Sequence, residues 1–329
     1  MNPTTPPAPI GGYFELELPY RQGHLYPDAM RLQSARASLL LLLQSLRPAR
    51  IWMPWFNCPS MLEPVAIAGI PIVRYHIDDD FLPEQDIALA PQDLLLYVNY
   101  FGVCERQVSS VLTRFPAQQV ILDYSQAFLS APPACLATLY SPRKFFGLPD
   151  GAYLQCSVDL PLPAERETLS IARSAALLTR IDRSPEEGYA EIVQARQTFK
   201  AQRPLRMSAL TERLLTSIDY EQARERRRRN FAHYHARLQG INGLSLAGDE
   251  AGLCYPLRIA LKDIRKIFQE QRIFVAQYWP GMPLESDARG QAVQALSEQC
   301  LPLPCDQRYD GADIERVLAV LEGALATRA

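Results

Sequence analysis

A chain of 329 residues with 48% apolar side chains has material for a large core and a smaller second one, and its net charge of −2 offers no overall basic footprint for nucleic acid. Apolar runs such as Leu39 to Leu43 are far too short to span a bilayer, and the opening Met1-Asn-Pro-Thr-Thr-Pro-Pro-Ala-Pro lacks the basic start and apolar centre of a signal peptide. Seven cysteines, an odd number without Cys-x-x-Cys spacing, argue for a reducing cytoplasm over a disulfide framework.

The first nine residues read as an extended or disordered tail. Ser34-Ala-Arg-Ala-Ser38 followed by five leucines reads as a capped helix, buried on most of its surface, whose free amides and positive dipole end can hold a phosphate. Arg50 to Pro54 is strand-like, Trp55-Phe-Asn-Cys-Pro59 a loop, Ser60 to Ala66 a helix and Ile70 to Ile77 another strand, which is the rhythm of a wound α/β sheet. Asp93 to Gly102 reads as a third buried strand ending in a glycine loop, and Val108 to Phe115 as an amphipathic helix. Gln119 to Phe128 contains a short buried strand with Asp123 at its C-terminal end, where ligands sit in open α/β sheets.

The stretch that carries chemistry is Thr138 to Leu154. Lys144 lies there between Ser141-Pro-Arg143 and Phe145-Phe-Gly147. An aromatic pair and a neighbouring cation would both disfavour its ammonium form, and a lysine that loses its proton readily can attack a carbonyl. An ordinary surface lysine on a loop is the alternative. Ala152 to Cys156 should form the antiparallel edge of the sheet, and Asp159-Leu-Pro-Leu-Pro163 then breaks the chain.

Residues 165–240 read as mostly helical. Arg224-Glu-Arg-Arg-Arg-Arg229 spreads its cations around a helix and is expected to be a solvated face, while His233 and His235 point to different sides and suggest no metal. From Leu244 the pattern changes to a small α+β unit: a strand over Cys254 to Leu261, a helix over Lys262 to Arg272, a further extended run over Ile273 to Trp279, and a last helix over Asp313 to Ala326.

Asp123-Tyr-Ser-Gln-Ala127 and Ser141-Pro-Arg-Lys-Phe-Phe-Gly-Leu-Pro-Asp-Gly151 resemble the DegT/StrS-type sugar aminotransferases, fold-type-I enzymes that use pyridoxal 5'-phosphate; the resemblance is discontinuous but runs from about residue 30 to the C-terminus. It implies an α/β fold with a mostly parallel central sheet and helices on both faces, divided into an N-terminal segment 1–30, a large cofactor domain 31–240 and a small C-terminal α+β domain 241–329. It implies an internal aldimine on Lys144, with Asp123 on the pyridinium nitrogen as the support of an electron sink and Gln126 on the ring hydroxyl. Ser141 and the amides around Ala35, Arg36 and Ala37 would hold the phosphate, and Arg143 would bind phosphate or a substrate carboxylate, or form a structural ion pair.

Four positions depart from the family pattern. Ala35 replaces a glycine. Cys58 stands where an aromatic ring stacks on the cofactor, so that Phe56, Trp55 or Cys58 itself would have to contact it. Asn99 replaces a common histidine, and Pro204 falls near an asparagine that reaches the partner subunit's phosphate, with Arg203 as a substitute.

The expected function is transamination of a small keto compound, with a nucleotide-linked keto sugar as one candidate, in a cytoplasmic homodimer with no nucleic-acid or membrane partner. A non-catalytic dimer that kept the fold, or a lyase or dehydratase using the same lysine and aspartate, are the alternatives.

Overall fold

The computed structural model describes residues 10, 12–21, 23–84, 87–282 and 285–326, so the tail expected over residues 1–9 lies outside them. Its centre is a seven-stranded sheet in the order β1-β7-β6-β5-β4-β2-β3. The strands are β1 Met30–Leu32, β2 Arg50–Pro54, β3 Ile72–Tyr75, β4 Asp93–Val98, β5 Val120–Tyr124, β6 Ala137–Tyr140 and β7 Ala152–Cys156. β3, β2, β4, β5 and β6 are mutually parallel, and β7 is antiparallel to both of its neighbours. Every residue of β4, β5 and β6 is buried, which explains why these strands read as continuous apolar runs without alternation.

Helices α1 Ala35–Leu46, α2 Leu62–Ala68 and α3 Glu105–Arg114 supply the crossovers between parallel strands. Ser34 caps α1 as expected, its hydroxyl accepting from the Ala37 amide at 3.2 Å, and Leu39, Leu42 and Leu43 are wholly buried. A hairpin of α4 Ser170–Asp182 and α5 Tyr189–Gln197 follows the sheet, then α6 Ala209–Leu215 and the long α7 Tyr220–Leu238. Beyond them lie α8 Ile264–Glu270, α9 Ala288–Gln299, α10 Gly311–Ala326 and a two-stranded antiparallel sheet of β8 Tyr255–Arg258 and β9 Cys300–Leu303.

Three expectations are corrected. β7 is antiparallel but not an edge, because β1 pairs along its outer side with Met30 opposite Leu154. Residues 273–279 are irregular and form no strand, whereas α9 was not foreseen. Finally, the arginine run is not a uniformly solvated face: Arg227 is 1% exposed, and it lies on the buried stripe Tyr220, Ala223, Arg227, Phe231, Tyr234 and Leu238 of α7. The last three of those residues join β8, β9, α8 and α10 in a second hydrophobic cluster, separate from the one around the large sheet.

Candidate active site

Parallel strands deliver their C-terminal ends to one edge of a sheet, and here that edge collects the residues singled out from the sequence. Asp123 pairs with Leu139 and Tyr124 with Tyr140, so the turn Pro142–Lys144 leaves β6 beside the end of β5. β1 runs in the same sense as β6, since both are antiparallel to β7, and it delivers Ser34 and the start of α1 to this edge. The Gly151 amide donates to the Gln33 carbonyl at 2.8 Å and joins the two ends. The loops after β2 and β4, with Trp55 to Cys58 and Asn99 to Gly102, emerge at the same edge.

Asp123 is 5% exposed, and among the described residues its carboxylate accepts one hydrogen bond, from the Ser125 amide at 2.8 Å. Gln126 is buried and accepts from the Phe101 amide at 3.0 Å, so it braces the β4 loop where Phe101 and Gly102 both adopt positive φ. Ser141 is buried at the start of the lysine turn. At α1, Ser34 takes the Ala37 amide, which leaves those of Ala35 and Arg36 without an acceptor among the described residues, at the positive end of the helix. The Arg36 side chain is engaged by Glu63 at 3.0 Å.

Lys144 does not sit between two aromatic rings. It is exposed, and its amine makes no hydrogen bond or ion pair with the described residues. Phe145 turns inward beneath the Arg227 guanidinium at 4.4 Å, and Phe146 packs against Phe128 and Tyr220. In this 3-10 turn the rings go into the core while the amine faces a cleft of about 700 Å³. Arg143, Arg180, Arg196 and Arg308 also line that cleft, and Asp306, its one acidic lining residue, is occupied by the Arg308 fork.

Arg143 lies over the Phe199 ring at 4.1 Å, has no carboxylate within ion-pair distance among the described residues, and has an unpartnered buried Nε. Burial, with Arg173 and Arg36 close by, lowers its pKa to about 10. Asp150 offsets part of this from beyond ion-pair distance.

The loop after β2 is arranged otherwise than expected. Phe56 is fully buried between Tyr100 and Trp279, and Cys58 hydrogen-bonds Ser60 at 3.0 Å. Trp55 carries the Arg74 guanidinium over its ring at 4.7 Å. Asn57, between them, is buried with neither side-chain atom partnered. Asn99 is also buried; it donates to Glu105 at 2.9 Å and accepts the Cys104 amide at 2.9 Å, a structural role. Arg203 pairs with Glu165, and Gln33 clamps the Arg203 carbonyl and the Leu205 amide at 2.7 Å on either side of Pro204.

Free amides at a helix start, an unpaired arginine, an amine with no partner and a lightly engaged buried carboxylate together suit a phosphorylated pyridinium aldehyde. The sequence reading missed Arg196 and Arg180, which no local motif marks, and Arg227, whose place on the α7 stripe was readable from its spacing.

No protein-family profile matches the sequence, and no curated protein matches it either. Solved structures do. A DegT/DnrJ/EryC1/StrS aminotransferase from Brucella abortus is 16% identical over 90% of this chain and 85% of its own, with a TM-score of 0.59. DesV of S. venezuelae, in complex with a ketimine intermediate, is 17% identical over 93% and 86%, with a TM-score of 0.63. A Bacillus subtilis protein solved with bound cofactor PMP is 15% identical over 91% and 73%, with a TM-score of 0.62. At these identities the likeness establishes the fold: the chain has the fold-type-I architecture of these proteins.

Proposed function

We propose that the chain is a pyridoxal-phosphate-dependent aminotransferase of the DegT/StrS kind, acting on a keto sugar carried on a nucleotide, with its cofactor carried covalently on Nζ of Lys144. The observation that carries this reading is the gathering of Asp123, the α1 start and the Lys144 turn at one end of a fold-type-I sheet.

When bound, the cofactor supplies an electron sink for the carbanion left by proton removal. Asp123 keeps the ring nitrogen protonated, because a buried carboxylate favours a cation beside it. The amides of Ala35 and Arg36, with Ser141 and Arg143, would hold the phosphate, and Gln126 would meet the ring hydroxyl. The Lys144 amine would act as the base that takes the substrate proton and the acid that returns it, and the open cleft gives it room to swing. Arg180 and Arg196 on the cleft wall suit a substrate that carries phosphoryl groups.

We read residues 31–240 as the large domain and 241–329 as the small one, with α7 serving both cores, and the working form as a cytoplasmic homodimer. A non-catalytic dimer is the second reading, and one observation favours it: Phe56 is fully buried among Tyr100 and Trp279 and Cys58 is hydrogen-bonded to Ser60, which weakens both as cover for a cofactor ring.

One experiment tests the placement of the cofactor on which the enzyme reading depends. Pyridoxal phosphate is added to purified protein, the absorbance of the imine is recorded, borohydride is applied, and the labelled peptide is mapped. Label on Lys144 supports the enzyme reading. Label only on Lys200, Lys262 or Lys266, or none, overturns it.

A further inference from the structure

Arg227 is a large side chain buried almost completely, with no carboxylate in ion-pair distance among the described residues. Burial is the main cause that lowers its pKa, with Arg308 adding to it and Asp306 opposing, and a buried cation without a paired counterion is costly unless its donors are satisfied. Every recorded bond it makes goes to a neutral acceptor. Nη1 donates to the carbonyls of Gly252 at 3.0 Å and Leu253 at 3.3 Å, Nη2 to the carbonyl of Phe145 at 3.4 Å, and Nε to the Gln307 side-chain oxygen at 2.9 Å. Gln307 closes the triangle by donating its own amide to the same Phe145 carbonyl at 2.8 Å. The guanidinium also lies over the Phe145 ring at 4.4 Å, so the residue that follows Lys144 is held by carbonyl and ring at once.

The other side of this junction reaches the rest of the site. The Leu253 amide donates to the Phe101 carbonyl at 2.8 Å, and the Phe101 amide donates to Gln126 at 3.0 Å. Backbone approach is close along that path, since a Cβ on Gly252 would stand 2.7 Å from the Phe101 carbonyl oxygen. Lys144 and Gln126, in the turns that follow two different strands of the sheet, are thus connected through a C-terminal segment and one arginine.

We propose that Arg227 and Gln307 are positioning residues that clamp the Phe145 peptide and so fix the direction in which the Lys144 amine enters the cleft. The inference rests on the reading of Lys144 given above only for its consequence in catalysis; the clamp is a property of the chain without any ligand. It gives α7 and the C-terminal segment a direct hold on the lysine turn, so that the amine is aimed only while those segments are docked. A planar fork that spreads its donors over three nitrogens is what the geometry requires, and lysine at position 227 would offer its three donors from a single nitrogen, which cannot reach acceptors on every side of the guanidinium.

The test compares wild type with Gln307→Leu and Arg227→Lys, the first chosen because Gln307 is only partly buried and its loss should spare the fold. Hydrogen exchange is followed across the whole ligand-free chain, and pyridoxal phosphate labelling of Lys144 is trapped with borohydride. Loss of one such bond should speed exchange of segment 141–149 about tenfold in Gln307→Leu. The effect should be confined to that segment and the 250–254 loop, with Lys144 labelling slowed by a similar factor, and Arg227→Lys should do at least as much. Unchanged exchange over 141–149 in both variants overturns the proposal. So does a uniform rise over every segment, which would mark a merely structural role. If exchange rises locally while wild-type Lys144 takes no label, the clamp stands and the aminotransferase reading fails.

Discussion

Arg50 on β2 and Asp93 on β4 stand opposite each other in the parallel register and are joined by a fork, Nε to Oδ1 at 3.0 Å and Nη2 to Oδ2 at 2.6 Å. The Ala90 amide at 3.0 Å and the Trp52 indole at 3.2 Å complete the shell of the carboxylate. The Arg50 hydrogen bonds are the main reason that the Asp93 carboxyl is held at about 2, below its ordinary 3.8. Since the folded value lies below the unfolded one, the stability it contributes is fully present above the ordinary value and is lost as pH falls through about 2. Asp93→Asn should therefore lower the urea midpoint at about pH 6, with the gap to wild type shrinking steadily towards about pH 2.5. A gap that stays constant over that range would refute the pairing as its source.

Asp123→Asn should keep the fold and most cofactor binding while slowing the half-reaction with an amino donor by at least about a hundredfold. The amide is nearly isosteric, but it cannot stabilise a protonated ring nitrogen. Single-turnover rates decide, because a spectrum reports binding alone. Equal rates in wild type and variant would reduce Asp123 to a strand-end carboxylate.

Arg173 and Glu167 form an ion pair at 2.8 Å with side chains only 2% and 1% exposed, and Arg173 also donates to Thr198 at 2.7 Å and lies over Phe199 at 3.7 Å. Arg173→Leu strands a buried carboxylate and should cost about 3–5 kcal/mol in chemical denaturation. Replacing both partners by leucine should recover part of that loss, a non-additivity that a double-mutant cycle measures.

Gly102 has φ +77, and a Cβ there would lie 2.1 Å from the Gln126 carbonyl oxygen; Gly69 has φ +68 and open space around it. Gly69→Ala should cost only its backbone strain, about 1 kcal/mol. Gly102→Ala must also push the β5 loop away, so it should cost about 3 kcal/mol or more and weaken pyridoxal phosphate binding as well. Thermal melts with and without cofactor separate the two effects.

What the sequence disclosed was mostly local. The Ser34 cap, the apolar runs of β4 and β5, and Asp123 at a strand end follow from chemistry within a few residues of each. Strand partners are set by distant chain, so β7 was misplaced at the edge that β1 occupies. α9 escaped notice because Gly290, Val293, Leu296 and Ser297 make a weak apolar face among polar neighbours. Arg227 was misjudged because its charge was weighed above its spacing on α7. At Lys144, aromatic neighbours in sequence are not neighbours in space, because a tight turn sends successive side chains in different directions.

The pairing of Met30 with Leu154 also sets an order of events during synthesis. α1 packs on β6 and β7, yet its leucines leave the ribosome about a hundred residues before β7 does. Until Cys156 has emerged, the stripe that includes Leu39, Leu42 and Leu43 lacks the β7 part of its cover, and the growing chain carries an apolar helix that α2 and β6 cover only in part. Nascent chains arrested before residue 156 should therefore be the chaperone-dependent ones, and release from that dependence should coincide with the arrival of a strand that itself holds no residue of the candidate site.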